Sequence, residues 1–209
     1  MKKSNDWNGL VVILDRGHGV NTPGKRSPDS SFFEWEWNDM FIDRLKPELE
    51  SLGYKVFDTV TEDTDPSLTE RANRANKIIA KYGASKCVFL SIHCNAAGNG
   101  QWMNATGWSA WTTKGKTNSD KLAECLCNAC EEIGVKLRKE TSDGDKDWEK
   151  NFTVILKTNC PAVLVENMFY DSKTDLEFLQ SPEGVEKLLN IHVLGIQRYF
   201  GRPTSLINE

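Results

Sequence analysis

The run Leu10-Val11-Val12-Ile13-Leu14, closed by Asp15, limits what this chain can fold into more than any other stretch. Five consecutive apolar residues leave no polar face, so as a strand the segment must be covered on both sides, the condition of a parallel strand between helical layers. It runs straight into Arg16-Gly17-His18-Gly19. The same layout returns twice: Cys87–Ile92 runs into His93-Cys94-Asn95, and Ala162–Val165 runs into Glu166-Asn167. Longer helical patterns separate these runs, which predicts an α/β fold. In such sheets parallel strands present their C-terminal ends on one edge, and ligands bind there. If the three strands are parallel, His18, His93 and Glu166 meet in one crevice.

The remaining elements follow from periodicity. Trp37, Phe41, Leu45, Leu49 and Leu52 recur at helical spacing from Glu34 until Gly53 ends the pattern, with Pro47 a candidate break near Leu45. Further helices are expected over Leu68–Tyr82, about Ser119–Ile133 and about Pro182–Tyr199. Further strands are expected at Tyr54–Asp58, Gly107–Thr112 and Phe152–Leu156, and Glu140–Lys150 reads as an exposed charged loop. No internal repeat or low-complexity segment interrupts the 209 residues, so one domain is expected over 1–209, with its core at about 10–200.

The formal net charge of −4 gives no reason to expect a nucleic acid or an anionic membrane as partner. No apolar run approaches the roughly 20 residues that cross a bilayer, so no membrane insertion is expected. Met1–Asp6 lacks the apolar stretch of a signal peptide, which points to synthesis in the cytoplasm. The six cysteines form no paired C-x-x-C knuckles, and Cys125 and Cys130 share the apolar side of a helical pattern with Leu122, Leu126, Ala129 and Ile133. Reduced, structural cysteines are the expectation.

There are three histidines, and His18 and His93 take two of the strand ends. Two imidazoles and a carboxylate are a common catalytic zinc set, with a fourth position left for water. Glu34, opening the first helix, is the candidate third ligand, with Glu36 its nearest competitor. Zinc lowers the pKa of its bound water to about 7 and polarises a carbonyl, and Glu166 is then available as general base. Each residue also has a structural reading. A histidine after a strand can cap a turn, and Ser31-Phe32-Phe33-Glu34 fits a capping box. His192, between Ile191 and Val193, reads as a satisfied core histidine. A carboxylate ending a Val-Leu-Val run is harder to set aside, because burying it unpartnered is costly. The residues alone describe a metallohydrolase with no named substrate.

At these positions the chain resembles the zinc-dependent N-acetylmuramoyl-L-alanine amidases of bacterial cell walls and phage lysins. The family's L-D-x-G-H-G stands as Leu14-Asp15-Arg16-Gly17-His18-Gly19. Its Glu followed four residues later by Asn is Glu34 and Asn38, and its S-I-H-x-N is Ser91-Ile92-His93-Cys94-Asn95. Its P-A-V-L-x-E is Pro161 to Glu166, with Phe169 and Asp175 following, and Leu68-Thr69-Glu70-Arg71 with Asn76 is similar to a further family helix. The resemblance runs in order across essentially the whole chain. It implies a mostly parallel mixed sheet of about six strands flanked by helices. It also implies a Zn2+ cofactor bound by His18, Glu34 and His93, with Glu166 catalytic. The implied reaction is hydrolysis of the amide joining N-acetylmuramic acid to L-alanine in peptidoglycan, for wall lysis or remodelling, after release or export from the cytoplasm. Arg16 and Val20 depart from the family's usual residues, and the polar loop Gly19–Pro28 is a candidate contact for the muramyl peptide. Trp102, Trp108 and Trp111 are candidates either to stack on sugars or to pack a loop. A zinc peptidase or deacetylase acting on another wall amide, or an inactive peptidoglycan-binding module, are the alternatives.

Overall fold

The computed structural model describes residues 7–142, 144–204 and 206–207, so the reading of Met1–Asp6 lies outside the described residues. The strands are β1 (Val11–Arg16), β2 (Lys55–Asp58), β3 (Cys87–Asn95), β4 (Ser109–Thr112), β5 (Trp148–Glu149) and β6 (Ala162–Phe169). The helices are α1 (Glu34–Ser51), α2 (Leu68–Tyr82), α3 (Asn118–Ile133), α4 (Thr153–Leu156), α5 (Lys173–Gln180) and α6 (Pro182–Tyr199). They build one six-stranded mixed sheet in the order β2-β1-β3-β6-β4-β5. Strands β2, β1, β3 and β6 are mutually parallel, and β4 joins β6 antiparallel. The expected α/β class and the parallel relation of the three apolar runs both hold.

Strand side chains alternate between the two faces, and each face has its own apolar layer. Val12 and Leu14 of β1 point into the layer with Phe41, Leu45, Leu126 and Leu188 from α1, α3 and α6. Val11 and Ile13 point the other way, against Ala75 and Ile79 of α2 and Val154 and Ile155 of α4. The helix α1 runs through Pro47 without ending. Phe41, Ile42, Leu45 and Leu49 are all fully buried. At roughly 1.5–3 kcal/mol per buried side chain they outweigh the roughly 3 kcal/mol an interior proline costs.

Two expectations are corrected, and one helix was not foreseen. Phe152–Leu156, expected as a strand, is a single helical turn: Val154 and Ile155 are buried under the sheet, and the chain must turn there to enter β6 at the sheet centre. The charged stretch Glu140–Lys150 contributes β5, paired in parallel with β4 through Trp111 and Trp148. The periodicity did not single out α5, an eight-residue helix following β6. On α3 the fully buried thiols are Cys127 and Cys130, while Cys125 is half-buried. All six cysteines are free, as expected.

Candidate active site

The site grows from the exit of β1. Gly17 donates its N–H to Ile92 O at 3.0 Å, which ties the turn to β3. A β-carbon on Gly17 would lie 2.4 Å from Cε1 of His93, so only glycine lets that ring approach. His18 then takes a left-handed conformation with φ 66°, uncommon for a residue with a side chain. A β-carbon on Gly19 would fall 2.4 Å from the Asp65 N. The Gly-His-Gly pattern is thus a steric requirement: two close approaches flank one strained histidine. Asn38, fully buried on α1, donates to Gly17 O at 3.0 Å and holds the same turn from behind.

Glu34 enters from the first residue of α1. No side chain caps this helix; the N-cap is Phe33, and the N–H of Glu34 donates to Lys25 O at 2.9 Å. Ser31 instead bonds Asp29, so the capping-box reading of Ser31 and Glu34 is not realised. The Glu34 carboxylate is 1% exposed. Its Oε1 accepts the Cys94 N–H at 3.1 Å and lies 3.1 Å from His93 Nδ1, while Oε2 lies 3.3 Å from His18 Nε2. Burial pushes its pKa up, but the facing imidazoles more than offset this and hold it at about 2. The helix N-terminus favours the same charge. His93 is raised from its usual value, since its pairing with Glu34 outweighs the opposing effect of burial. Glu36, the competing ligand, is exposed on the far side of the helix turn and takes no part.

One ligand atom from each of His18, Glu34 and His93 lies within 4.8 Å of the other two. Among the described residues, Oε2 of Glu34 has the His18 imidazole beside it but accepts no hydrogen bond, and Oε2 of Glu166 is buried without a hydrogen-bond partner. A buried carboxylate oxygen left unsatisfied beside two imidazoles is what a metal ligand looks like before its ion, so the residues fit a zinc ion. Glu166 stands directly opposite His93 in the β3–β6 ladder, and Ser109 of β4 faces it on the other side. Burial lifts its carboxyl to about 7, with the neighbouring Glu34 charge adding to the rise and His93 and Lys25 opposing it. His192 sits apart on α6, fully buried against Phe41 and Trp108, with Nδ1 2.7 Å from Leu188 O. Its Nε2 has no hydrogen-bond partner among the described residues, so it is a core histidine only half satisfied.

Sequence reasoning passed over several residues that shape this site. Asn167, buried next to Glu166, donates to His93 O at 3.2 Å and accepts from the Trp108 indole at 3.1 Å, bridging the two site-bearing strands. Lys25 lies in the expected substrate loop, but its charge on Glu166 had no sequence signature. Arg16 turns away from the site onto Asp43 at 2.7 Å and Asp58 at 3.3 Å, so it clamps β1 to α1 and β2. Val20 is 55% exposed.

The family model described as N-acetylmuramoyl-L-alanine amidase matches residues 12–198. The chain is 34% identical over 191 residues to the N-acetylmuramoyl-L-alanine amidase CwlM of Bacillus licheniformis, covering 91% of this chain and 69% of that one. It is 26% identical over 190 residues to the endolysin of Bacillus phage SPP1, covering 89% of this chain and 64% of that one. The chain therefore spans about two thirds of the length of these curated relatives. Among solved structures it superposes on an N-acetylmuramoyl-L-alanine amidase from Clostridium difficile 630 with a TM-score of 0.79 and 28% identity, over 96% of this chain and 100% of the other. The amidase Ami1 of Mycobacterium smegmatis, at 20% identity and a TM-score of 0.79 over 94% of this chain and 99% of that one, shares the fold. With its glycine turn, paired imidazoles and facing carboxylates in the order the family model spans, the chain belongs to the N-acetylmuramoyl-L-alanine amidase family.

Proposed function

We propose that this chain is a single catalytic domain that hydrolyses the amide between N-acetylmuramic acid and L-alanine in bacterial peptidoglycan. His18, Glu34 and His93 would hold a zinc ion, and Glu166 is the catalytic carboxylate. The observation that carries the reading is the placement of Glu166, with one oxygen unsatisfied, directly across the ladder from the ligand His93. Two nitrogens and an oxygen suit zinc among the common divalent metals. When bound, the ion supplies a Lewis acid that polarises the scissile carbonyl and makes water more acidic.

The chain's own residues do the rest. A carboxyl held near neutrality by burial is matched to taking a proton from water and returning it, at modest cost in either direction. Glu166 removes the proton from the attacking water, and the new C–O bond forms as the carbonyl π pair moves to oxygen. Glu166 then delivers that proton to the L-alanine nitrogen, and the C–N bond breaks with its electron pair on nitrogen. Asn167 and Gly17 keep His93 in register with Glu166 throughout. The product pair is a lactyl carboxylic acid on the sugar and a free amino group on the stem. The enzyme would reach this substrate at the cell wall, after release or export.

Digestion of purified peptidoglycan with zinc-loaded protein, followed by mass identification of the new ends, tests this. Free L-alanine amino groups beside intact muramic acid, abolished by a chelator, are the expected result. New ends elsewhere in the stem or on an acetyl group would reassign the bond, and no zinc-dependent product would leave a binding module.

A further inference from the structure

Three tryptophans follow the third motif, and the structure sorts them. Trp108 is fully buried and spends its N–H on Asn167. Trp111 donates to Ser109 Oγ at 3.1 Å and packs on Trp148 and Phe152, with ring centroids at 5.3 and 5.7 Å. Trp102 differs. It is half-buried, packs against the main apolar layer, has the Lys173 ammonium 5.5 Å from its ring centroid, and makes no indole N–H hydrogen bond among the described residues. It lines a cleft of about 370 Å3 with Asp29, Lys173, Glu177, Gln180 and Ser181.

The walls of that cleft are the segments adjoining each site-bearing element. Asp29 lies on the segment entering α1 at Glu34, Trp102 on the loop leaving β3 after His93, and Lys173 opens α5 after β6 and Glu166. The Trp102 loop is fixed, since Asp171 accepts from the N–H groups of Ala97 and Gly98 at 2.8 Å and its carbonyl accepts from Met103 N at 2.7 Å. Gln180 Nε2 donates to Ser31 O at 3.3 Å and closes the opposite wall. The cleft is therefore built into the same rigid edge as the site.

Its chemistry narrows the occupant. The lining carries both signs of charge, Asp29 and Glu177 against Lys173, so neither a polyanion nor a polycation is favoured. An aromatic surface flanked by amide, hydroxyl and carboxylate groups suits a neutral ligand with an apolar ring face and many hydroxyl and amide groups. We propose that this cleft is a saccharide subsite, in which Trp102 seats an N-acetylated sugar of the glycan strand next to the muramoyl residue being cleaved. The inference rests on the peptidoglycan reading above and adds that the enzyme grips the sugar chain as well as the stem.

The test measures binding apart from hydrolysis. A peptide-free tetrasaccharide of two N-acetylglucosamine–N-acetylmuramic acid repeats is titrated into the folded wild-type chain, Trp102→Ala and Trp102→Phe. Isothermal calorimetry and indole fluorescence follow the binding, with a free stem peptide as control ligand. Trp102→Ala is expected to weaken saccharide binding about tenfold or more, roughly 1.4 kcal/mol. Trp102→Phe should recover most of that binding, and binding of the stem peptide should not change. No saccharide binding by the wild type, equal binding by Trp102→Ala, or an equal loss for the stem peptide would each overturn the subsite. Trp102-dependent saccharide binding by a protein that releases no L-alanine ends would instead remove the amidase reading and leave the cleft standing.

Discussion

Buried acids from β1, α1 and β6 gather around the exit of β1, and they are treated in opposite ways. Asp15 is 1% exposed, and both of its oxygens are used: Oδ1 accepts from Thr59 Oγ1 at 2.5 Å and Arg71 at 3.0 Å, and Oδ2 from Ser91 Oγ at 2.7 Å. Arg71 spends its remaining donors on Asp65, Pro66 O, Arg16 O and His18 O. Glu34 and Glu166, on the other side of the same turn, each keep an oxygen with no hydrogen bond. A finished network holds the chain, and an unfinished one holds capacity for a ligand and a proton. The finished one also serves the other, because Arg71 fixes the backbone oxygen of His18 itself.

The comparison can be broken at several points. The largest effect is expected from Glu166→Gln, which keeps the shape but cannot carry a proton. Amide hydrolysis should fall by about 10²–10⁴-fold while bound zinc, read by elemental analysis, stays stoichiometric. Loss of zinc, or activity near wild type, would show that Glu166 is a ligand or a bystander. Next comes Arg71→Leu, which strands the buried Asp15 charge and should cost about 3–5 kcal/mol in urea unfolding. Adding Asp15→Asn should restore part of that loss, whereas an additive double variant would deny the coupling.

A fourth acid sharpens the contrast. Asp147 is 1% exposed, accepts from Thr112 Oγ1 at 2.6 Å and lies beside the Asp145 carboxyl. Burial raises its pKa to about 7, with the Thr112 hydrogen bond opposing the rise. The folded chain therefore holds this proton more tightly than the unfolded one. The resulting stability is complete below the ordinary carboxylate range and is lost as pH rises through about 7. Asp147→Asn should flatten that part of the stability–pH curve relative to wild type; parallel curves would contradict the shift. The smallest effect is expected at His192, whose pKa is lowered to about 4 by burial, so that it is neutral at pH 7. His192→Leu should leave zinc content and activity within about twofold of wild type and change stability by under about 1.5 kcal/mol.

Sequence alone exposed the unfinished network better than the finished one. His18, His93 and Glu166 are polar residues closing apolar runs, and topology then dictates that they share an edge. Glu34 was visible mainly through family likeness, since acidic residues are ordinary in a first helical turn. The partners of Asp15 were hidden because Thr59, Arg71 and Ser91 come from three separate segments and none stands out locally. The helical turn at Phe152–Leu156 was misread because a run of four or five apolar and β-branched residues suits a strand equally well. The helix α5 was missed because Lys173–Gln180 buries few residues and its order comes from Asp175, which accepts from Gly107 N at 2.9 Å and Phe169 N at 3.0 Å.

The strand order also has a consequence for biosynthesis. The ribosome releases β1, β2 and β3 early, yet β6 sits between β3 and β4 near the centre of the sheet and brings Glu166 with it. A nascent chain can form the β2-β1-β3 half while residues 162–169 are still to be made, but β4 and β5 have only each other and no link to that half. Glu166 therefore arrives last among the four candidate site residues, in the same event that closes the sheet. Translation that stops before residue 162 yields the β2-β1-β3 half with His18, Glu34 and His93 but without Glu166.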